Sequence, residues 1–418
     1  MKRICIYLIM IALCFLSGIY VTRVHAAIDI AKGERLIYHK QYDEAYQYFT
    51  TVAVDTTSAD GKEKRDRILQ YLEIIKYAQN HLQTLHRGEH VVFHYDPALI
   101  SGGELSLLSE RYDHSYVNIK KELAITFDQP IYIFLYPEGM ELALWESIGL
   151  LSVYNSDEIH VFYGGVDHHG QIEHEMVHIM TEQLNSFRGR STLPAFLIEG
   201  LAEYIVADPW GLELDTWVKG FRELGVFIPL TALQDDAVFR KHNQIITYEE
   251  AGSFVHYLII QYGLDKFKLL YSRPSFYTVY GKALEELAQE WSCLIQSAAV
   301  SAENRELISY RVALGALYMK PASLAQVPWI GIKTFINQER VFIEQVAESS
   351  PAERGALKEG DEVVGVDDIA LHGQNVWRIG SLLLEKKTGD RMSFAVRRDG
   401  KLFHREITLG MKPYRTWQ

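Results

Sequence analysis

Cysteine is scarce in this chain of 418 residues, which contains three. Cys5 and Cys14 fall in an apolar N-terminal stretch, so Cys293 is alone in the remaining sequence. A single cysteine cannot form an intramolecular disulfide, and the length allows about two or three hydrophobic cores to stabilise the fold instead. Because Trp291 and Leu294 lie beside it, we expect Cys293 to be a buried, inert thiol rather than a reactive one.

Positive charge is also in short supply. The 42 Lys and Arg residues against 54 Asp and Glu residues give a formal net charge of -12. The sequence has no basic run with interleaved aromatic residues of the kind that binds nucleic acid. This balance argues against nucleic acid or an anionic membrane surface as the main partner.

Long hydrophobic runs are confined to the N-terminus. Lys2 and Arg3 precede an apolar run from Ile4 to Tyr20, and Val24-His25-Ala26 supplies small residues for cleavage. This pattern is typical of a secretory signal peptide over residues 1–26. We therefore expect an extracytoplasmic protein, either secreted, periplasmic or facing outward from a membrane. Retention of the segment as an N-terminal anchor, with membrane association through it, is the alternative.

The strongest chemical signal is the run His174-Glu175-Met176-Val177-His178. Residues four apart share one face of a helix, so His174 and His178 can bind one ion with Glu175 beside it. This is the H-E-x-x-H spacing of zinc hydrolases. A motif this short also arises by chance, and the alternative is an amphipathic helix with a solvated His/Glu face.

A second segment argues against that alternative. Phe196 to Tyr204 is an apolar run that carries two acids four residues apart, Glu199 and Glu203. Acids on a buried helix need a cation or a hydrogen-bond donor to satisfy them. Since a catalytic zinc site usually has three protein ligands and one open position, Glu199 is the expected third ligand.

Together the two segments resemble the gluzincin metallopeptidases, in which H-E-x-x-H is followed by a helix with the pattern E-x-x-x-(D/E). The phrase from Pro194 to Tyr204 is similar to that of a bacterial branch called peptidase MA-like, and the resemblance covers roughly residues 90 to 295. It implies a zincin-like fold that holds Zn²⁺ and cleaves a polypeptide substrate. It also implies that the strand Glu158–Gly165 lies at a sheet edge above the cleft.

The resemblance assigns roles residue by residue. The implied metal ligands are His174, His178 and Glu199, with Glu175 as the general base and Glu203 as the acid that orients a ligating histidine.

Tyr248 is the candidate donor to the oxyanion of the transition state. Its surroundings resemble the Y-E-x-G segment of gluzincin aminopeptidases, although Gly252 comes four residues after the tyrosine rather than three. We expect the tyrosine to stand at the start of a helix that ends before Gly263. His256 and Tyr204 are alternative donors, and a packing role for Tyr248 is equally open.

Residues 27–85 read as a helical segment. The residues whose spacing resembles one tetratricopeptide-like helix pair are Gly33, Tyr38, Tyr42, Ala45 and Phe49. A second helical stretch is expected from Arg67 to Leu85. Because one repeat cannot bury its own faces, we expect the segment to pack on the catalytic domain. A generic helical hairpin is the alternative.

Residues 86–300 read as an α+β metallopeptidase domain, followed by a partly helical linker over 301–326. Strands are expected at His90–Tyr95 and Pro130–Tyr136, with a helix from about Leu105 to Leu123 between them.

From Trp329 onward valine, isoleucine and glycine dominate the sequence. The phrase from Ser350 to Val364 resembles the S-P-A-x-x-A-G-L-x-x-G-D-x-I signature of bacterial PDZ domains, except that Gly355 and Ala356 stand in reversed order. This resemblance implies a PDZ β-sandwich or barrel over residues 327–412.

In PDZ domains a peptide adds as a strand beside a groove, and main-chain amides receive its carboxylate. The residues that match the carboxylate loop are Ile330, Gly331 and Ile332, and a helix near Asn375 to Leu384 is expected to form the other wall. The expected partner is a C-terminal peptide. An empty groove that only packs on the protease is the alternative.

These patterns favour an exported zinc endopeptidase of α+β fold with a PDZ module. The alternative is a non-catalytic envelope scaffold, although a structural metal site would not need Glu175. An aminopeptidase is less favoured, because residues 100–165 carry no acidic motif of the kind that grips a free amine.

Overall fold

The computed structural model describes residues 32–33, 35–37, 39–51, 59–98, 100–137, 157–163, 171–184, 193–206, 211–318 and 328–411. The predicted signal peptide, residues 1–26, lies outside them. Among the described residues no helix is both long and apolar enough to cross a bilayer. The chain divides into two compact units, each made of separate stretches: Met1–Leu193, Leu201–Pro209 and Leu258–Ser275 in the first, and Pro194–Gly200, Trp210–Tyr257 and Phe276–Gln418 in the second.

The mixture of helices and strands confirms the α+β class. The helices of the described residues are α1 (Tyr42–Thr51), α2 (Ala59–His81), α3 (Gly102–Glu122), α4 (Gln171–Thr181), α5 (Ala195–Val206), α6 (Leu214–Glu223), α7 (Leu230–Leu233), α8 (Asp236–Lys241), α9 (Gln244–Tyr262), α10 (Leu264–Ser272), α11 (Phe276–Tyr280), α12 (Leu284–Ile295), α13 (Ala302–Tyr318), α14 (Pro351–Arg354) and α15 (Arg378–Leu384). The strands are β1 (Thr84–Arg87), β2 (Val91–Tyr95), β3 (Ile131–Pro137), β4 (Glu158–Tyr163), β5 (Ile332–Asn337), β6 (Arg340–Val346), β7 (Glu362–Val366), β8 (Ile369–Ala370), β9 (Arg391–Arg398) and β10 (Lys401–Thr408).

The first unit contains a four-stranded sheet in the order β1-β2-β3-β4. Strand β1 is antiparallel to β2, whereas β2, β3 and β4 run parallel. Alternating apolar residues such as Ile131 and Ile133 are fully buried on one face of the sheet. The strands and the helix predicted around residues 90–136 are confirmed. Among the described residues β4 lies at the end of the sheet, which agrees with the edge position implied by the resemblance, although Gly164 and Gly165 of the predicted strand lie outside them.

One element of this unit differs from the prediction. The helix expected to reach Leu85 ends at His81, and Thr84–Arg87 pairs with β2 instead. Leu82 is buried and Leu85 is largely exposed, so the two leucines do not continue one helical stripe. Apolar spacing alone could not separate a last helical turn from the start of a short edge strand.

The helical segment before the sheet has a small core of its own. Its buried residues are Ile37, Ala45, Phe49, Ile68, Leu72 and Ile75. Gly33 has no room for a side chain, because a Cβ there would lie 2.1 Å from Phe49 Cζ. This close approach of two turns agrees with the glycine-to-aromatic spacing seen in the sequence.

The second unit combines helices with an antiparallel sheet in the order β10-β9-β7-β6-β5, to which β8 adds by pairing with β7. Val341, Val363 and Phe394 lie in the core of this sheet with no more than 1% exposure. Most of the predicted linker is helix α13.

The reversed Gly355–Ala356 pair has a steric explanation. A Cβ at Gly355 would lie 2.0 Å from Ile407 Cδ1, so this position excludes a side chain. Ala356 adopts φ +61°, the left-handed conformation for which the family signature supplies glycine. The chain therefore keeps the PDZ backbone turn and accepts the cost of a left-handed alanine.

Two local predictions in this unit are wrong. Cys293 is exposed, because it lies two residues beyond Trp291, on the opposite side of α12 from the buried face. Helix α9 begins at Gln244, so Tyr248 stands in its second turn rather than at its start. Asn243 is the cap that moves the start forward, since its Oδ1 accepts a hydrogen bond from Ile245 N at 3.0 Å.

An ion cluster joins the N-terminal helical segment to the sheet, and the expected packing on the α+β lobe is observed. Lys40 Nζ lies 3.0 Å from Asp157 Oδ1 and 2.6 Å from Glu158 Oε1. Tyr42 donates to Glu158 Oε2 at 3.1 Å, and His160 Nε2 lies 3.6 Å from the same oxygen. Burial alone would raise the pKa of Glu158, but the hydrogen bonds from His160 and Lys40 outweigh it and hold the pKa at about 2.

This cluster predicts a pH dependence of stability. Because the folded pKa of Glu158 lies below its unfolded value, the carboxylate stabilises the fold above about pH 4.5, and this contribution is lost as the pH falls towards about 2. We expect wild type to lose about 2 kcal/mol more than Glu158→Gln over that range in urea titrations, a value kept modest because Lys40 is partly exposed. Parallel pH curves for the two proteins would contradict the assignment.

Candidate metal centre

The two histidines of the H-E-x-x-H run meet on one face of α4. His174 and His178 lie one turn apart, and their Nε2 atoms are 3.0 Å from each other. Their rings are nearly perpendicular, with an interplanar angle of 85°. Met176 and Met180 are fully buried on the other side of the helix, which fixes the face that carries the histidines.

Helix α5 supplies the two acids predicted beside them. Glu203 Oε1 lies 2.9 Å from His174 Nδ1. This contact places the proton of His174 on Nδ1 and leaves the Nε2 lone pair for an ion. Glu199 lies one turn before Glu203 on the same helix, so both carboxylates share one face.

The predicted ligands come together. One ligand atom from each of His174, His178 and Glu199 lies within 4.8 Å of the other two. Two imidazoles and a carboxylate are the donor set of one common type of catalytic zinc site, which keeps its fourth position open. The donor types and their mutual approach therefore fit a single Zn²⁺ ion.

Burial of the acids supports the same fit. Glu199 and Glu175 are only 6% and 7% exposed. Glu175 Oε2 has no hydrogen-bond partner within the described part of the chain. A buried carboxylate oxygen is costly unless a cation, a donor or water satisfies it. A cation with a bound water molecule beside Glu175 would supply what this oxygen lacks.

Sequence reasoning missed the brace that holds α4. Arg111 on α3 donates from Nε to Glu173 Oε1 at 2.9 Å, and Ser115 Oγ lies 3.5 Å from the same oxygen. Glu173 precedes His174 directly, so the pair fixes the first turn of the metal helix. No local pattern signals this contact, because 62 residues separate its partners.

Sequence reasoning also missed the support of α5. A Cβ at Gly200 would lie 2.6 Å from the backbone oxygen of Ala251, so α5 packs directly on the backbone of α9. Asp236 Oδ1 accepts from Ala195 N at 2.8 Å and satisfies the first turn of α5. The sequence signal for this contact was Gly200 itself, because a glycine in the middle of an apolar helix often marks close packing against a neighbour.

Tyr248 has a packing partner. Its ring stacks on that of Phe239, with centroids 5.4 Å apart. The alternative donor Tyr204 lies on α5, where burial and the charge of Glu122 raise its pKa. The role of Tyr248 at an oxyanion stays a prediction, as do the alternatives Tyr204 and His256.

The two elements predicted to line a groove in the C-terminal domain, a strand and a helix, are both present. Gly331 has φ +87° and begins the turn into β5, which lies at the end of its sheet. Ile330 is 3% exposed, and its backbone oxygen accepts a hydrogen bond from Ala352 N at 2.9 Å, whereas Ile332 is partly buried against the domain core. Helix α15 is the predicted second wall. Peptide binding by these residues stays a prediction.

The family described as PDZ domain matches residues 328–409, which shows that this part of the chain is a PDZ domain. Among curated proteins, none matches the chain.

Solved structures are similar to parts of the chain. The PDZ domain of a carboxy-terminal protease from Vibrio cholerae, in complex with peptide, is 20% identical with a TM-score of 0.18 and covers 21% of this chain and 98% of that chain. A variant of the HtrA-type protease AlgW with a decapeptide is 19% identical with a TM-score of 0.20, over 21% of this chain and 30% of that chain. The match therefore spans less than a third of that protease. A protein of the aminopeptidase N family from Idiomarina loihiensis is 11% identical with a TM-score of 0.29, over 79% of this chain and 67% of that chain.

The contact between Glu203 and His174 predicts a loss of metal affinity. We expect Glu203→Gln to weaken Zn²⁺ binding by about 10- to 100-fold, because the amide no longer orients and polarises the imidazole. Competition with a chromophoric chelator measures this affinity. The control is Glu285→Gln, an exposed acid on α12, which should bind Zn²⁺ like wild type. Equal affinities in both variants would remove Glu203 from the site.

Proposed function

We propose that this chain is an exported, zinc-dependent endopeptidase whose PDZ domain recognises peptides or protein partners. The observation that supports this most is the mutual approach of His174, His178 and Glu199, whose ligand atoms lie within 4.8 Å of one another. Glu175 lies on α4 between the two histidines and is 7% exposed, a position suited to a general base. A purely structural metal site has no use for that carboxylate.

The chemistry divides between the ion and the chain. When bound, Zn²⁺ lowers the pKa of water to near neutrality and polarises a carbonyl oxygen. Glu175 Oε2 accepts the proton of the attacking water and delivers it to the nitrogen of the breaking C–N bond. The products are a carboxylate and an amine. Glu203 holds His174 in one tautomer throughout.

Strand β4 offers a place for an extended substrate. Within the described residues it pairs only with β3, so its outer edge is the place where another strand would add. A polypeptide that adds along this edge gains main-chain hydrogen bonds without a free terminus. Together with the lack of an acidic exopeptidase motif in residues 100–165, this favours internal cleavage over aminopeptidase action.

The PDZ domain and the N-terminal segment complete the proposal. PDZ domains bind peptides beside an edge strand, and β5 is such a strand here. The basic and apolar pattern of residues 1–26 supports a location outside the cytoplasm, with the protein either released after cleavage or held by the uncleaved segment.

Removal of the general base is the decisive test. We expect Glu175→Gln to lower peptidase activity by about 10²- to 10⁴-fold while the protein keeps about one Zn²⁺ per chain. The control is Glu182→Gln, an exposed acid just after α4, which should keep full activity. Comparison of new peptide termini in a proteome treated with wild type and with Glu175→Gln identifies the substrate and the bond.

A zinc-loaded wild type that produces no new termini would contradict the proposal and would favour a non-catalytic envelope scaffold. New termini confined to the loss of single N-terminal residues would instead indicate an aminopeptidase.

Tyr248 is tested by removing one oxygen. If its hydroxyl donates to the oxyanion, Tyr248→Phe lowers kcat by about 10²- to 10³-fold and leaves zinc content unchanged. The phenylalanine ring keeps the stacking with Phe239, so stability should be close to that of wild type. Unchanged kcat would assign Tyr248 to packing and leave His256 and Tyr204 as the candidates.

A further inference from the structure

Helix α13 contacts three other helices of the second unit. Ile308 packs against α6 at Gly220, where a Cβ would lie only 2.4 Å from Ile308 Cδ1. One turn earlier on α13, Arg305 Nη2 lies 2.5 Å from Glu223 Oε2. These contacts fix the position of α13 on the helical part of the unit.

The same helix contacts α15, the predicted wall of the peptide groove. The ring of Tyr310 stacks on Trp377 with centroids 5.7 Å apart, and Glu306 pairs with Arg378. Gly380 has no side chain at the contact, and a Cβ there would lie 2.2 Å from the Tyr310 hydroxyl oxygen. Tyr310 therefore reaches the backbone of the groove helix.

The C-terminal half of α13 contacts the cap of α9. Asn243 donates from Nδ2 to the backbone oxygen of Val312 at 2.7 Å, and its Oδ1 accepts from Ile245 N at 3.0 Å. A Cβ at Gly315 would lie 2.4 Å from that same Oδ1. The residue that starts α9 is thus held between α9 and α13.

Helix α9 in turn contacts α5, the helix that carries Glu199. A Cβ at Gly200 would lie 2.6 Å from the backbone oxygen of Ala251 and 3.0 Å from Val255 Cγ2. Gly200 directly follows the candidate ligand Glu199. A shift of α9 along or across this contact therefore moves the segment that carries Glu199.

Glycines stand at the contacts of this series: Gly380, Gly220, Gly315 and Gly200. At Gly200 the close neighbour is the backbone of another helix, and at Gly220, Gly315 and Gly380 it is a side chain from a neighbouring helix or its cap. Close-packed contacts of this kind transmit displacement, because few rotamers are left to absorb it.

We propose that α13 couples occupation of the PDZ groove to the geometry of the metal centre, through Tyr310 on α15 at one end and Asn243 on α9 at the other. This inference rests on the proposed function, since it assigns regulation to the same metal site. The effector is a peptide that carries a free carboxylate and lies between β5 and α15. By linkage, if peptide binding in the groove changes the Zn²⁺ affinity by a given factor, Zn²⁺ binding changes the peptide affinity by the same factor.

A clash-and-rescue experiment tests the coupling without any assumption about the peptide. In the full chain, Gly380→Ala presses a methyl group against the Tyr310 hydroxyl, whereas the double variant Gly380→Ala/Tyr310→Ala removes the obstacle. We expect Gly380→Ala to change the Zn²⁺ affinity by about fivefold or more, measured by chelator competition. The double variant should match Tyr310→Ala alone. The control is Ser309→Ala, an exposed position on α13.

A folded Gly380→Ala protein that binds Zn²⁺ as wild type does would overturn the proposal. If Gly380→Ala does not fold, Tyr310→Ala carries the test through amide hydrogen exchange in metal-free protein. We expect exchange at residues 243–251 to become faster when Tyr310 no longer holds α13 against α15. Unchanged exchange there would equally overturn the coupling. The exchange measurement needs no metal, so it tests the contact through α13 even if wild type binds no Zn²⁺. Absence of Zn²⁺ binding by wild type would contradict the proposed function, whereas unchanged exchange would contradict the coupling.

Discussion

The hydrogen bond between His174 and Glu203 is the interaction on which the site depends. It joins the metal helix α4 to α5, and it fixes which imidazole nitrogen faces the ligand position. One turn earlier on α5, helical geometry brings Glu199 to the same face. The remaining contacts of the site, from the Arg111–Glu173 pair to the close packing at Gly200, hold these two helices where that hydrogen bond can form.

Burial explains why such a site is under strong physical constraint. Glu175 and Glu199 are almost wholly removed from water, and carboxylates in that position are unfavourable unless charge or donors compensate them. The same burial makes them effective when a cation is present, because attraction and proton transfer are stronger where water is excluded. Stability and chemistry therefore place opposite demands on these side chains, and a bound cation reconciles them.

Local patterns predicted the parts of the molecule that depend on local geometry. The spacing of His174 and His178 and that of Glu199 and Glu203 are properties of a single helix, so the sequence was enough to place each pair on one face. The PDZ signature worked in the same way, and even its reversed Gly355–Ala356 pair follows from one steric contact. By contrast, Cys293 was misplaced because Trp291 lies on the buried side of α12, whereas Cys293 and its neighbour Leu294 are exposed. The brace at Glu173 could not be predicted, since its partner lies far away in the chain.

X-ray absorption at the zinc edge tests directly whether His174, His178 and Glu199 bind one Zn²⁺ ion. For the full chain loaded with one equivalent of Zn²⁺, we expect nitrogen and oxygen scatterers at about 2.0–2.2 Å, with the outer-shell signal of two imidazoles and no sulfur. The imidazole signal should fall by half in His178→Ala. A spectrum of hydrated zinc, a sulfur ligand, or an imidazole signal unaffected by His178→Ala would contradict this ligand set.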